Sequence, residues 1–182
     1  MATTSTRLMT FEEFEKLPDS SGHRYELRHG EPFLVAPPRY DHYIIQQRLV
    51  RLLLRHAGDA DIVGTEMGFR PRPEYESWYA DVGFLAKLRS DKVPPKGNIQ
   101  GSPDLVIEAL SPSNTATEMR DRRKLCLETG SREFWIVDLD LREVEVSTTG
   151  DHSVTYKSGQ EIPLFFVESP EGGRLAVDAI FS

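Results

Sequence analysis

The chain contains one cysteine, Cys126. That excludes an internal disulfide and any zinc site built from several thiolates, and it fits a reducing cytoplasm. Long apolar runs are missing too. Runs such as Leu52–Leu54 fall far short of the roughly 20 residues needed to span a bilayer, so no membrane contact is expected. Met1–Arg7 is rich in Thr and Ser and carries no apolar stretch, so no secretory signal is expected. Positive charge is scarce: 22 Lys and Arg stand against 29 Asp and Glu, a net charge of −7. A protein that coats nucleic acid by charge is strongly basic. Any contact with nucleic acid must therefore come from a local site, of which a metal-bridged one is an example. The remaining composition is that of a globular protein, with 182 residues, 38% hydrophobic and 28% charged. That is enough chain to bury a core without staples, and one domain over residues 1–182 is expected.

Local patterns give the order of elements. Thr10 and Glu13 form a capping-box pair, which predicts a short helix ending before Pro18. His23–Ala36 reads as two strands turning at His29-Gly30. Asp41 is the expected cap of the best helix, in which Ile44, Ile45, Leu49, Leu52 and Leu53 recur at helical spacing and Gly58 closes the segment. Strands are predicted over Ile62–Arg70, Tyr79–Ala86, Asp104–Leu110, Glu133–Asp138 and Glu143–Thr149. Shorter strands follow near Val154–Tyr156, Leu164–Val167 and Leu175–Val177. Lys87–Pro103 reads as a mobile loop. Thr115 and Glu118 repeat the capping box and open a helix that ends at Gly130. This order predicts a mixed sheet flanked by helices, in an α/β or α+β fold.

Two strands carry acids where a core strand should be apolar. Alternation places Asp81 with Gly83 and Leu85, and Glu108 with Asp104, Val106 and Leu110. A buried carboxylate is costly unless it is paired, protonated or bound to a cation. On neighbouring strands in register, Asp81 and Glu108 would form an oxygen-rich site suited to Mg²⁺ or Mn²⁺. The plain alternative is that each caps a turn or pairs with an arginine. For Asp104, behind Pro103, the turn role is the better reading. On the second capped helix, Met119 and Cys126 point the same way, Arg122 lies about 40° from Cys126, and Lys124 lies about 160° away. Arg122 therefore borders the apolar stripe and Lys124 faces solvent. Cys126 reads as a packed thiol, His42 as a helix-end histidine, and Ser111 and Ser113 as capping residues without a nucleophile elbow around them.

The strings Tyr25-Glu26-Leu27 with Gly30-Glu31, Tyr79-Ala80-Asp81-Val82, Pro103-Asp104-Leu105-Val106-Ile107-Glu108-Ala109-Leu110-Ser111-Pro112-Ser113, and Glu133-Phe134-Trp135-Ile136-Val137-Asp138 after Gly130 together resemble the bacterial Uma-type restriction endonuclease family. The resemblance covers about residues 10 to 150. It implies membership of the PD-(D/E)XK nuclease superfamily, a restriction-endonuclease-like core with an extra N-terminal hairpin and C-terminal antiparallel strands, and metal-dependent DNA cleavage. Carried over, Asp81 and Glu108 match the two acids of the motif and hold the metal. Glu26 matches an acid of the hairpin that completes the site, although between Arg24 and Arg28 it also reads as an exposed strand residue. Where the motif usually has its lysine stands Leu110, and the family's helical lysine falls on Arg122. Arginine stays protonated and is a poor general base, but it can clamp a phosphate.

The expected function is thus a Mg²⁺- or Mn²⁺-dependent endodeoxyribonuclease with Asp81, Glu108, Arg122 and Glu26 as catalytic residues, making a focused contact with DNA. A homodimer is expected by analogy. The alternative is a catalytically weak module of the same fold that binds DNA or a protein. A two-acid glycosidase is a third, less favoured reading. Arg120, Arg122, Arg123 and Lys124 form the candidate basic patch.

Overall fold

The computed structural model describes residues 7–18, 24–111, 114–150, 152–167 and 172–182. Helix α1 (Phe11–Phe14) starts at the Thr10–Glu13 capping box and is followed by the hairpin β1 (Arg24–Arg28) and β2 (Glu31–Val35). Its turn is His29-Gly30, with φ of 51° and 74°. Positive φ at both central residues matches the twist of the flanking strands. Then come α2 (Tyr40–Leu54), β3 (Ile62–Arg70), β4 (Trp78–Leu85), α3 (Lys87–Ser90), β5 (Ile99–Gln100) and β6 (Leu105–Ala109). They are followed by α4 (Ala116–Glu128), β7 (Glu133–Asp138), β8 (Glu143–Thr148), β9 (His152–Tyr156), β10 (Glu161–Leu164), β11 (Gly173–Ala176) and α5 (Val177–Phe181).

The central sheet has seven strands in the order β5-β3-β4-β6-β7-β8-β9, and β1-β2 and β10-β11 are separate antiparallel pairs. β6 and β7 run parallel and are joined through α4, whereas β4 pairs antiparallel with β6. The architecture is therefore mixed α+β, a mixed sheet flanked by helices with two additional hairpins. Each face of the sheet has its own apolar cluster. Ile45, Leu49 and Leu53 of α2 pack with Leu105, Ile107 and Ala109 of β6 and with Val177 and Ile180 of α5. On the other face Leu125 and Cys126 of α4 pack with Val106, Phe134 and Phe69. Glu108 shares the strand parity of Val106 and so faces α4.

Several boundaries differ from the expectations for physical reasons. Asp41 does not cap α2: the N-cap position is Arg39, and Asp41 lies inside the first turn, where its Oδ1 accepts from the His42 amide at 2.9 Å. The helix ends at Leu54, before Gly58. The Lys87–Pro103 segment is tied down rather than loose. β5 pairs with the end of β3, and Arg89 donates to Ser102 O and Gly130 O and pairs with Asp104 at 3.2 Å. Asp104 also accepts from the Ala86 amide, the structural role expected of it. The strand expected at Leu164–Val167 lies earlier, at Glu161–Leu164, and Val177 begins a helix instead of ending a strand. Ser113 lies outside the described residues.

Helix α4 carries Arg122, and its start is held by reciprocal bonds: Glu118 N donates to Thr115 Oγ1 at 3.2 Å, and Thr115 N donates to Glu118 Oε2 at 2.9 Å. Thr115→Ala is expected to lower the urea midpoint by the equivalent of about 1 kcal/mol, with Thr115→Ser close to the parent. Equal midpoints for all three proteins would show that the cap contributes nothing.

Candidate active site

The strand register brings the two motif acids together. β4 pairs with β6 through Phe84↔Leu105, Gly83↔Val106 and Val82↔Ile107, and the ladder stops there. Asp81 and Glu108 are the next positions on each strand, so they stand opposite one another where the strands diverge. Asp81 fills the divergence: its Oδ2 accepts from the Ala109 amide at 2.8 Å, a group the broken ladder would leave bare. Its Oδ1 accepts from Gln46 Nε2 at 2.9 Å.

Glu108 points the other way, to Arg122. Arg122 Nε donates to Glu108 Oε1 at 2.9 Å. Arg122 Nη1 and Nη2 donate to the two oxygens of Glu26 at 3.1 and 3.2 Å, and Nη2 also donates to Tyr79 O. Its guanidinium lies 4.9 Å from the centre of the Trp78 ring. Four of the five donor hydrogens of an arginine are thus engaged inside the protein, and Arg122 acts first as a hub joining β1, β4, β6 and α4. Glu26 is 2% exposed. The reading of Glu26 as an exposed strand residue is therefore corrected. Its face of the hairpin docks on β4, where Glu26 accepts from the Tyr79 amide at 2.8 Å, and Leu27 exchanges amide bonds with Ser77.

The charge balance of this cluster is uneven. Burial pushes Glu26 up, but the Arg122 and Arg28 guanidiniums and the Tyr79 amide outweigh it and hold the carboxylate below the usual range. Glu108 shares the same arginine through a single bond. There burial wins, with Asp81 and Glu26 adding repulsion, and its carboxyl is pushed up to about 8. Burial also raises Asp81, opposed by His42 and the Ala109 amide. Arg122 is held well above its ordinary value because the two carboxylates overcome its own burial. Three acids facing one buried cation leave the site short of positive charge. Among the described residues no three His, Cys, Asp or Glu side chains converge as a ready-made metal cage. The candidate donors are Asp81 and Glu108, a pair that would suit a cation taking one or two carboxylates and filling its remaining positions with water and phosphate.

A groove of about 720 Å³ opens onto this cluster. Its walls come from the β1-β2 hairpin, the segment 33–39, the start of α2, residues 108–111 and the start of α4. The acids lining it outnumber its arginines, seven to four. The expected basic patch on α4 does not form. Arg123 pairs with Glu145 and Lys124 with Glu128, Arg120 sits beside Asp121, and only Arg122 turns inward. The other three arginines at the groove, Arg24, Arg28 and Arg39, come from the hairpin and its exit.

Residues 11–168 match the family described as "Putative restriction endonuclease" (Uma2). The chain belongs to this family. A solved structure of "a putative nuclease belonging to DUF820" from Anabaena variabilis ATCC 29413 superposes with a TM-score of 0.79 at 22% identity. The match covers 95% of this chain and 97% of that one, and at that identity it shows a common fold. No curated protein matches. Among the described residues no helix is long and apolar enough to cross a membrane.

Two site residues of this Uma2-family chain, Gln46 and Glu66, escape the sequence reading. A third, His42, reads in the sequence as a weaker candidate at the start of α2 and is no plain helix-end histidine: its Nε2 lies 2.7 Å from Ala109 O and 3.5 Å from Asp81 Oδ2. Gln46 is buried and bridges Asp81 and Glu66, with 3.3 Å to Glu66 Oε1. The signal was available, because positions 42, 46, 49 and 53 form one helical stripe whose last two members are core leucines. Glu66 faces Asp81 in the β3-β4 register, takes a positive φ of 54°, and pairs with Arg24. Nothing local in the sequence announces that backbone. Cys126 is the inert core thiol expected of it, pushed up to about 12 by burial.

The raised carboxyl of Glu108 gives a pH test. An ordinary glutamate titrates near 4.5, and Glu108 in the fold near 8. Its contribution to stability is full below the unfolded value and is lost as pH rises through the folded one. In EDTA, Glu108→Gln should therefore gain stability relative to the parent between about pH 5.5 and about pH 8.5, by on the order of 3 kcal/mol. A constant difference across that range would mean that Glu108 is ionised throughout.

Proposed function

We propose that the protein is a metal-dependent endodeoxyribonuclease of the PD-(D/E)XK type, with Mg²⁺ or Mn²⁺ held by Asp81 and Glu108. The observation that carries this reading is the register that sets the two acids opposite each other at the end of the β4-β6 ladder. The shortage of positive charge around them supports it, since a buried carboxyl with an elevated titration point is a place where a cation is welcome. A bound divalent cation would supply Lewis-acid stabilisation of the phosphoryl charge and make an attacking water more acidic.

The chain's own residues position this chemistry. Gln46 and the Ala109 amide fix the Asp81 carboxylate, and His42 braces it from the side. Arg122 aims Glu108 through its Nε and is itself anchored by the ionised Glu26. A guanidinium cannot serve as general base at neutral pH. The proton of the attacking water must go to solvent, to a phosphate oxygen or to a carboxylate. Substrate DNA reaches the acids along the groove.

The same arginine favours a second reading, a weak or inactive nuclease-fold module that binds DNA or a protein. With four donor hydrogens turned to protein acceptors, Arg122 has little left for a scissile phosphate. Plasmid nicking separates the two. Purified protein is expected to nick supercoiled plasmid with Mg²⁺ or Mn²⁺ and not in EDTA. Asp81→Asn and Glu108→Gln are each expected to lower the rate at least about a hundredfold while circular dichroism stays unchanged. Metal binding by calorimetry without nicking would favour the second reading, and nicking unchanged in both variants would overturn the site.

A further inference from the structure

Building on that nuclease reading, we infer that the groove takes a single strand of DNA, held by base stacking, in preference to an intact duplex. The first observation is the placement of exposed aromatic rings. Among the described residues those most open to solvent are Tyr25, Phe33, Tyr40 and Tyr43, all within the hairpin and the first turn of α2. Phe33 lines the groove on the same hairpin face as Glu26, its register partner. Tyr40 is 80% exposed and Tyr43 follows one turn later, next in chain to the groove residues Arg39 and His42. Elsewhere the aromatic residues are at least half-buried, as at Phe69, Phe84 and Trp135.

The second observation is charge. Arginines accompany the rings at and beside the groove: Arg28 stacks 5.1 Å from the centre of Phe33, Arg24 lies 4.7 Å from that of the part-buried groove residue Tyr79, and Arg39 precedes Tyr40. Each already faces an acid. Arg24 pairs with Glu66, Arg28 with Glu26 and Glu118, and Arg39 lies 3.6 Å from Asp41. Duplex binding draws its affinity from many free cations meeting two phosphate backbones. A groove whose acids outnumber its arginines cannot supply them. Stacking is different, because every base has a π-face that an aromatic ring can hold regardless of sequence. Of the four exposed rings Phe33 lines the groove itself, so a strand would lay a base on Phe33 and reach Tyr40 beside the groove residues Arg39 and Asp41, its single backbone passing Arg24, Arg28 and Arg39. Paired bases inside a duplex offer no such faces.

The test reads binding without chemistry, so it is independent of whether the site turns over. In EDTA, a fluorescein-labelled oligothymidylate and a labelled hairpin duplex of equal length are titrated with the full chain and followed by anisotropy. The single strand is expected to bind at least about tenfold more tightly. Phe33→Ala and Tyr40→Ala should each weaken it about tenfold, with the melting temperature unchanged and Phe33→Trp restoring affinity. Duplex binding equal to or tighter than single-strand binding, no binding of either probe, or affinity unmoved by both alanine variants would overturn the inference. Loss of nicking in the plasmid assay with this binding pattern intact would sink the nuclease reading alone.

Discussion

The buried contact among Glu26, Arg122 and Glu108 sets the geometry on which the site depends. Its three members come from the hairpin, from α4 and from the central strand β6, and a fourth bond reaches Tyr79 O on β4. Burying such charges is expensive, and apolar packing of similar volume often stabilises a protein more. What the network accomplishes is placement. A planar guanidinium with fixed donor directions sets the position of Glu108 relative to Glu26 more tightly than a lysine could. It also clamps a two-stranded hairpin, marginal alone, onto the main sheet.

From that contact follows the chemistry of the opening beside it. Glu26 takes two bonds from Arg122 and stays ionised, while Glu108 takes one and is pushed toward its neutral form. Asp81 is held by the Ala109 amide and by Gln46 while Glu108 is held by Arg122, so each of the two acids at the end of the ladder has its own anchor. The hairpin that Glu26 anchors is also the wall that presents Phe33 and Arg28 to the groove. The acid site and the aromatic wall thus share one mechanical support.

Much of this was legible in the chain. The strands Ile62–Arg70 and Glu133–Asp138 were read to the residue, and both Thr-x-x-Glu capping boxes form. The inward turn of Arg122 and the outward turn of Lys124 followed from helical geometry, as their burial and exposure bear out. The failures have several causes. Asp41 looks like a cap, but the helix begins one residue earlier at Tyr40, whose preceding residue has extended backbone. Glu26 looks exposed because its neighbours are arginines, yet its partner lies 96 positions away. The α4 cations look like a patch until the acids of β8 and of the helix itself are seen to neutralise them.

The sequence by itself determined the order of elements, the two acids lodged in apolar strands, and the stripe that turns Arg122 inward. These depend on period-2 and period-3.6 relations between residues close in the chain, where backbone geometry leaves little choice. Only the tertiary structure decided which acid meets which partner. Glu26 with Arg122, Gln46 with Asp81, and Glu66 with Arg24 arise from strand register, the docking of a hairpin and the seating of α2 on the sheet. Such contacts lie 96, 35 and 42 positions apart in the chain. Local propensity has no hold over that range, because what brings the partners together is the packing of whole elements against a shared core.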